Sequence, residues 1–336
     1  MLHNQRVSEA QTTSSASAVP RPRSLSGWLA ARVLRVLSAV LVRLPETGLH
    51  RVAYGLGGVL YRAQPARRRL VRANLERVVG YLAAHDLGGE PISLAARDGR
   101  ALDRLTRAAF GHYVRGYLEG AILPVYAQEE HLARVQPDDP ALLELCFGQA
   151  GNASRGSMII VGMHFGAVEI PALWATKRLG RRITAPMETV SDPEIQSYFE
   201  RTRGQTGLDL IPIEEAAPIL RRSLAEGGTV ALVADRPIGG SGASVDLFGA
   251  SARLPLGPAA LAYESGAPAW LIATRRVGKR DYRSRIERIE LPEVGTRRDR
   301  LAGFLASEAS AFERAVADAP EQWWTCFFPI WDDIRR

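Results

Sequence analysis

Lysine is nearly missing from this chain: of 43 basic residues, only Lys177 and Lys279 are lysines. Genomic composition produces such a bias as readily as phosphate binding does, so the arginines alone assign no ligand. Cysteine is as scarce. Cys146 and Cys326 fall in no metal or redox spacing, which excludes a disulfide framework and points to a reducing compartment. The six histidines are scattered and form no zinc-ligand cluster. No apolar run reaches the roughly 18 residues that span a bilayer. An apolar secretory stretch is missing too. Residues 1–24 are polar and rich in Ser, Thr, Ala and Pro, and are read as a disordered tail. There is no internal repeat. The net charge of +7 asks for an anionic partner, but no nucleic-acid recognition motif or aromatic–basic interleaving accompanies it. A membrane surface or an acidic substrate is left.

What is present is a folding chain of 336 residues, 46% hydrophobic, enough for one large domain or two modest ones. From Trp28 to Leu44, Arg32, Arg35 and Arg43 wind onto one side of a helix. Leu29, Val33, Val36, Leu37, Val40, Leu41 and Leu44 wind onto the other. Such a helix either lies in the interface of an anionic membrane or packs its apolar face on the core. Helical spacing continues to about residue 130, through Ala66–Val79 and Leu102–Leu118. A Gly-, Asp- and Pro-containing loop is expected between them at His85–Gly99.

From about residue 155, short β-branched or apolar runs alternate with helical stretches. Strands are expected at Ser157–Gly162, Arg182–Met187, Leu208–Ile213, Thr229–Ala234, Ser244–Phe248, Ala269–Thr274 and Tyr282–Leu291. Helices are expected near 168–179, 192–206, 214–226 and 256–265. This alternation predicts an α/β fold: a mixed, largely parallel central sheet flanked by helices, preceded by a helical, membrane-associating segment.

Chemistry is expected where buried strands end, because ligands of open α/β sheets bind at the carboxyl edge. The run Met158–Gly162 leads into Met163-His164-Phe165-Gly166, and a helix begins soon after. A helix N-terminus disfavours an imidazolium, so His164 is suited to accept a proton. Glu169 follows close enough to steady the ring. The run Thr229–Ala234 delivers Asp235 and Arg236, then the loop Gly239-Gly-Ser-Gly242. Asp235 orients His164 if the two strands are neighbours, Arg236 is placed to meet a phosphate, and the glycines let backbone amides approach a ligand. Arg253, beside the helix start at Gly257-Pro258, forms a third candidate, an anion site. For each feature an ordinary structural role competes: a satisfied histidine, a turn-capping aspartate, a strand-to-helix connection.

In order, these pieces resemble the lipid A biosynthesis (lauroyl/myristoyl) acyltransferase family, which includes phosphatidylinositol mannoside acyltransferases. The resemblance rests on His164-x4-Glu169, Asp235-Arg236, the apolar turn Phe248-Gly249, the helix start Gly257-Pro258 and Leu261–Pro268. The ending Pro320-x-Gln322-Trp323 with Trp331, and Arg203 before Gly204, complete it. It spans roughly residues 25–335. It implies an acyltransferase domain over 25–336, with a helical part at 25–130 and an α/β catalytic part at 155–336. It also implies direct transfer of a fatty acyl chain from acyl-CoA or acyl carrier protein to a hydroxyl of a glycolipid or phospholipid. His164 is then the base, and Asp235 or Glu169 steadies the imidazolium. Backbone amides near Gly166 or Gly239 meet the oxyanion, and Arg203, Arg236 and Arg253 meet phosphates. No metal or other cofactor is required. The implied location is peripheral, at the cytoplasmic face of the inner membrane.

Two other readings compete. A serine lipid hydrolase or thioesterase would use Ser241, but Gly-Gly-Ser-Gly half matches a nucleophile elbow and no strand enters the serine directly. A non-catalytic lipid-binding protein on the same fold would show a broken His/carboxylate set, and here the set is intact.

Overall fold

The computed structural model describes residues 32, 36–122, 129–152, 156–180, 182–188, 192, 196–198, 200, 207–237 and 242–334. The expected tail at 1–24, Arg203, Gly239 and Ser241 lie outside the described residues, as does most of the helix expected at 192–206.

Four helices come first: α1 (Glu46–Ala63), α2 (Pro65–Ala84), α3 (Gly89–Arg97) and α4 (Gly99–Ala121). Helix α3 corrects the loop expected over His85–Gly99. Its Gly and Pro sit in the first turn, and Ile92 and Ala95 are buried against the core. Proline in a first helical turn costs little, and burial of an apolar stripe decides the rest. Next come α5 (Glu129–Leu132), β1 (Val135–Pro137), α6 (Pro140–Asn152), β2 (Met158–Gly162), α7 (Ile170–Leu179), β3 (Ile183–Met187) and β4 (Leu208–Pro212). After a 3₁₀ turn at Ile213–Glu215 follow α8 (Ala216–Ala225), β5 (Thr229–Val233), the hairpin β6 (Ala243–Leu247) and β7 (Ala250–Leu254), and α9 (Gly257–Ser265). The chain ends with β8 (Ala269–Val277), β9 (Asp281–Ile289) and α10 (Arg297–Asp318), then two 3₁₀ turns at Pro320–Gln322 and Trp324–Phe327. Strands β1 and β7 and helices α6 and α10 were not expected. Helix α10 carries a readable signal, a capping box between Thr296 and Asp299.

The seven-stranded sheet runs β1-β9-β8-β2-β5-β3-β4. All neighbours are parallel except the antiparallel pair β8–β9, and β6–β7 stands apart. Its central strands are covered on both faces. From β2, Ile159 and Val161 enter one core with α2, α3, α8, α9 and α10. Met158 and Ile160 enter the other with α1, α6 and α7. Burial on both faces is why β2 reads as a continuous apolar run instead of an alternating one; β5 is buried at Thr229 and Val230 and opens toward Val233.

Residues 36–41 are helical. Leu41 is buried, whereas Val36, Leu37 and Val40 are 43–66% exposed. The apolar face thus divides: one residue packs on the protein and its neighbours face outward. No helix among the described residues is long and apolar enough to cross a membrane.

Candidate active site

Strands β2 and β5 are parallel neighbours with Gly162 opposite Val233. Two residues past that register lie His164 and Asp235, so pairing of the strands brings the two side chains together. His164 Nδ1 and Asp235 Oδ1 are 2.7 Å apart. The imidazole is 29% exposed and the carboxylate is fully buried. The second oxygen of Asp235 accepts from Trp323 Nε1 at 2.8 Å and from Thr325 Oγ1 at 2.6 Å. Burial pushes the Asp235 carboxyl up. The facing His164 ring and the hydrogen bonds from His164 and Thr325 outweigh burial and hold it below its ordinary value. An ionised acceptor on Nδ1 keeps that nitrogen protonated and leaves Nε2 as the basic atom.

The turn bearing His164 is held from three sides. Phe165 bridges Trp323, the Gly166 amide donates to Gln322 O at 2.9 Å, and the Ala167 amide donates to Thr274 O at 2.9 Å. His164 O accepts from the Trp324 amide at 2.7 Å. Gln322 is itself fixed to β8, accepting from the Arg276 amide and donating to Arg276 O, each at 2.9 Å. Gly166 has φ +55°, and a Cβ there would lie 2.1 Å from Thr274 O. Its expected role as a substrate-facing amide is therefore corrected: the amide is committed to Gln322, and glycine is needed because β8 presses against it.

The other expected residues are dispersed. Glu169, half-buried, occupies the N-cap of α7 and makes no capping hydrogen bond with its side chain; the contact to Nδ1 belongs to Asp235. Arg236 stacks over Phe328, 4.6 Å from the ring centre, and stands 3.8 Å from Glu188. Arg253 projects from β7 and donates to Gly242 O at 2.6 Å, closing the hairpin on the preceding loop. A cleft of about 680 Å³ between α8 and α9, near Ser157 and Gly227, lies at the opposite, amino edge of the sheet.

Sequence reasoning missed Thr325 and the orienting role of Trp323. Trp323 stands in a recognisable Pro-x-Gln-Trp sequence. Thr325 carries no local signal, because its contact exists only once the last turn closes under β5. Also missed was a buried ionic cluster joining α1 and α4 to β8. Glu119 accepts from Arg115 Nε at 2.6 Å and from Arg276 Nε at 2.9 Å, and Glu46 accepts from Arg134 at 2.7 Å.

A partly exposed histidine with Nδ1 tied to a buried carboxylate at the carboxyl edge of a sheet is equipped to take a proton from an acceptor. Comparison with known proteins narrows the chemistry. The profile of the bacterial lipid A biosynthesis acyltransferases matches residues 103–331. A phosphatidylinositol mannoside acyltransferase of Mycolicibacterium smegmatis is 26% identical over 287 residues, 84% of this chain and 86% of its own. One from Mycobacterium tuberculosis H37Rv is 28% identical over 246 residues, 72% of this chain and 68% of its own. The chain belongs to the bacterial lipid A biosynthesis acyltransferase family and is an enzyme that transfers acyl groups.

Proposed function

We propose that the protein transfers a fatty acyl chain from acyl-CoA or acyl carrier protein to a hydroxyl of a mannosylated phosphatidylinositol, with His164 as general base. The observation that carries this reading is the His164–Asp235 pair, with Nδ1 bound at 2.7 Å and Nε2 left for the acceptor. His164 Nε2 takes the hydroxyl proton as the acceptor oxygen attacks the thioester carbon. The tetrahedral intermediate collapses, the C–S bond breaks, and the thiolate leaves with the proton returned by the imidazolium. Asp235 holds the tautomer and balances the transient positive charge, and base catalysis of this kind contributes about 10²–10⁴-fold. Arg236, next to Asp235 and 28% exposed at its side chain, is a candidate for a phosphate of donor or acceptor. The acceptor class is that of the two mycobacterial relatives; a lipid A-like acceptor is the alternative.

In this reading the enzyme works peripherally at the cytoplasmic face of the inner membrane. Supporting this are the exposed Val36, Leu37, Val40, Val52, Leu56 and Val59, interspersed with exposed Arg43, Arg51 and Arg62. Apolar side chains edged by arginine suit an anionic lipid interface.

The test is acyl transfer by purified protein and by His164→Ala. Labelled palmitoyl-CoA or palmitoyl carrier protein is supplied with mannosylated phosphatidylinositols, lipid A precursors and lysophospholipids. The expected result is transfer to the mannosylated lipid, lost in a variant that keeps its fold. Equal activity in both proteins would remove His164 as the base.

A further inference from the structure

Beside the dyad stands an aromatic cluster that the proton-transfer chemistry does not use. The Trp324 indole lies against Gly116 of α4, where a Cβ would come within 1.7 Å of the ring. Tyr117 stacks on that indole, with ring centres 5.9 Å apart and an interplanar angle of 21°. Tyr113 stacks on the buried Phe327 at 4.0 Å and 14°. The Tyr113 and Tyr117 hydroxyls meet at 3.1 Å on the solvent side, and Tyr117 is 58% exposed. The indole Nε1 is buried with no partner among the described residues, so Trp324 serves as a support and not as a donor to a ligand.

The cluster is fixed to the reactive turn, because the Trp324 amide donates to His164 O at 2.7 Å. Positive charge borders it as well: Arg236 lies over the Phe328 ring, next in the chain to Phe327, 4.6 Å from the ring centre. A flat aromatic face with hydroxyls at its rim and a guanidinium at its side has the chemistry of a carbohydrate site. The C–H face of a sugar ring packs on the π-surface, its hydroxyls bond to the phenols, and a phosphate ester on the ring meets Arg236. Rings that already stack on one another are rigid, so little freedom is lost when a ligand is added.

We propose that Tyr113 and Tyr117, supported by Trp324 and with Arg236 alongside, form the shelf that receives the phosphorylated sugar head group of the acceptor and presents its hydroxyl to His164. This rests on the acceptor reading above and assigns that acceptor a place. The rival occupant is the bilayer itself, since Tyr and Trp also favour lipid interfaces. The shelf carries paired hydroxyls and is tied to the His164 turn through the Trp324 amide, whereas the exposed apolar side chains edged by arginine lie on α1 and residues 36–42.

The experiment uses the full chain and two variants, Tyr117→Ala and Tyr117→Phe. Tyr117 is exposed, so neither change disturbs the core. Three quantities are read: the Kd of a deacylated, water-soluble phosphatidylinositol mannoside, the KM of the intact acceptor against that of palmitoyl-CoA, and binding to phosphatidylglycerol vesicles. Tyr117→Ala is expected to weaken the soluble head group and raise acceptor KM by about tenfold or more, the scale of one lost stack plus one hydrogen bond. Tyr117→Phe, which keeps the stack, should fall between. Unchanged head-group Kd and acceptor KM would overturn the shelf while leaving the acyltransferase reading intact. Weaker vesicle binding with unchanged head-group Kd would assign the aromatics to the membrane. A rise confined to palmitoyl-CoA would assign them to the donor. If the wild type transfers to no sugar-bearing lipid, the acceptor reading fails and the shelf fails with it.

Discussion

Asp235 divides its two oxygens between two tasks: Oδ1 faces His164 Nδ1 at 2.7 Å, and Oδ2 takes the Trp323 indole and Thr325 hydroxyl at 2.8 and 2.6 Å. The second set fixes the carboxylate plane, and the first then fixes the imidazole. Replacing the charge while keeping the shape is the sharpest perturbation. Asp235→Asn presents an amide to Nδ1, which favours the wrong tautomer and leaves Nε2 protonated. By analogy with the serine-protease aspartate, kcat should fall about 10³–10⁴-fold. Steady-state kinetics at saturating substrates, with circular dichroism to verify the fold, checks this. A fall confined to KM would contradict it.

Thr325→Val and Trp323→Phe each remove one donor from Oδ2. Each is expected to cost about 1–2 kcal/mol of stability, because a buried carboxylate loses a charge-assisted bond. The sign with pH follows from the depressed pKa of Asp235. Its contribution is present above the ordinary carboxylate range and lost as pH falls through the folded value. With a donor gone the folded pKa rises, so both variants should unfold at a higher pH than wild type on acidification. Acid titration followed by tryptophan fluorescence reads the shift for Thr325→Val, where no fluorophore is lost.

How much of this was legible in the sequence follows from which contacts are local. The strands β2 and β5 show as apolar runs, β2 because both of its faces are buried, and a polar residue just past such a run marks the sheet's carboxyl edge. That much points to His164 and Asp235. Their pairing is not local: it depends on β5 lying directly beside β2 and on a register of Gly162 with Val233. Strand β1 spans only Val135–Pro137, too short for any periodicity to show. The family resemblance implied oxyanion-binding amides near Gly166, but the Gly166 amide itself is bonded to Gln322 O. The group that demands glycine there is Thr274 O of β8, which sequence spacing does not reveal.

Glu308 on α10 is fully buried, and neither carboxyl oxygen has a hydrogen-bond partner among the described residues. Burial, with the nearby Asp235 charge, raises its pKa well above the ordinary value of 4.5. A carboxyl whose folded pKa is raised favours folding fully below its unfolded value, and that advantage is lost as pH rises toward the folded value. Glu308→Met should therefore stabilise the protein by about 1–3 kcal/mol near pH 8, and by less near pH 5. Urea unfolding at the two pH values measures the difference. A destabilised variant at pH 8 would show that the carboxyl holds a partner after all.

Glu119 and Arg276 form a buried pair between α4 and β8, with Arg115 as a second cation on Glu119. Glu119→Gln strands the buried Arg276 guanidinium and should cost about 3–5 kcal/mol, whereas Arg276→Met leaves Glu119 paired with Arg115 and should cost less. The double variant should cost less than the sum, because removing Arg276 also removes the buried cation that Glu119→Gln leaves without its carboxylate. A double-mutant cycle by chemical denaturation measures the coupling, and additive losses would show that the two residues act independently. The clamp on Gln322 is made by the Arg276 backbone amide and carbonyl, which Arg276→Met retains, so kcat should change little where the fold is kept.

Gly166→Ala separates steric contact from backbone preference. Two costs meet at this position: φ is +55°, and the new Cβ would lie 2.1 Å from Thr274 O and 2.9 Å from Arg275 Cα. Gly266, the C-cap of α9, carries the first cost alone, with φ +68° and nothing within 4 Å of a Cβ. Gly266→Ala should then cost about 1 kcal/mol, the usual penalty for a side chain in the left-handed region, and leave kcat unchanged. Gly166→Ala must add movement of the turn away from β8, because the atoms it meets are backbone held in the sheet. The amide bonds from Gly166 to Gln322 and from Ala167 to Thr274 would lengthen together, and His164, two residues upstream, would swing from Asp235. A displacement of about 1 Å in a catalytic base is worth on the order of 10²-fold in rate. The expected result is a loss of stability of more than 2 kcal/mol, in excess of the roughly 1 kcal/mol control, with kcat down about 10²-fold or more. If the two alanine variants proved equally stable and equally active, the turn would be free of β8 and the strand-edge account of how His164 is aimed would be wrong.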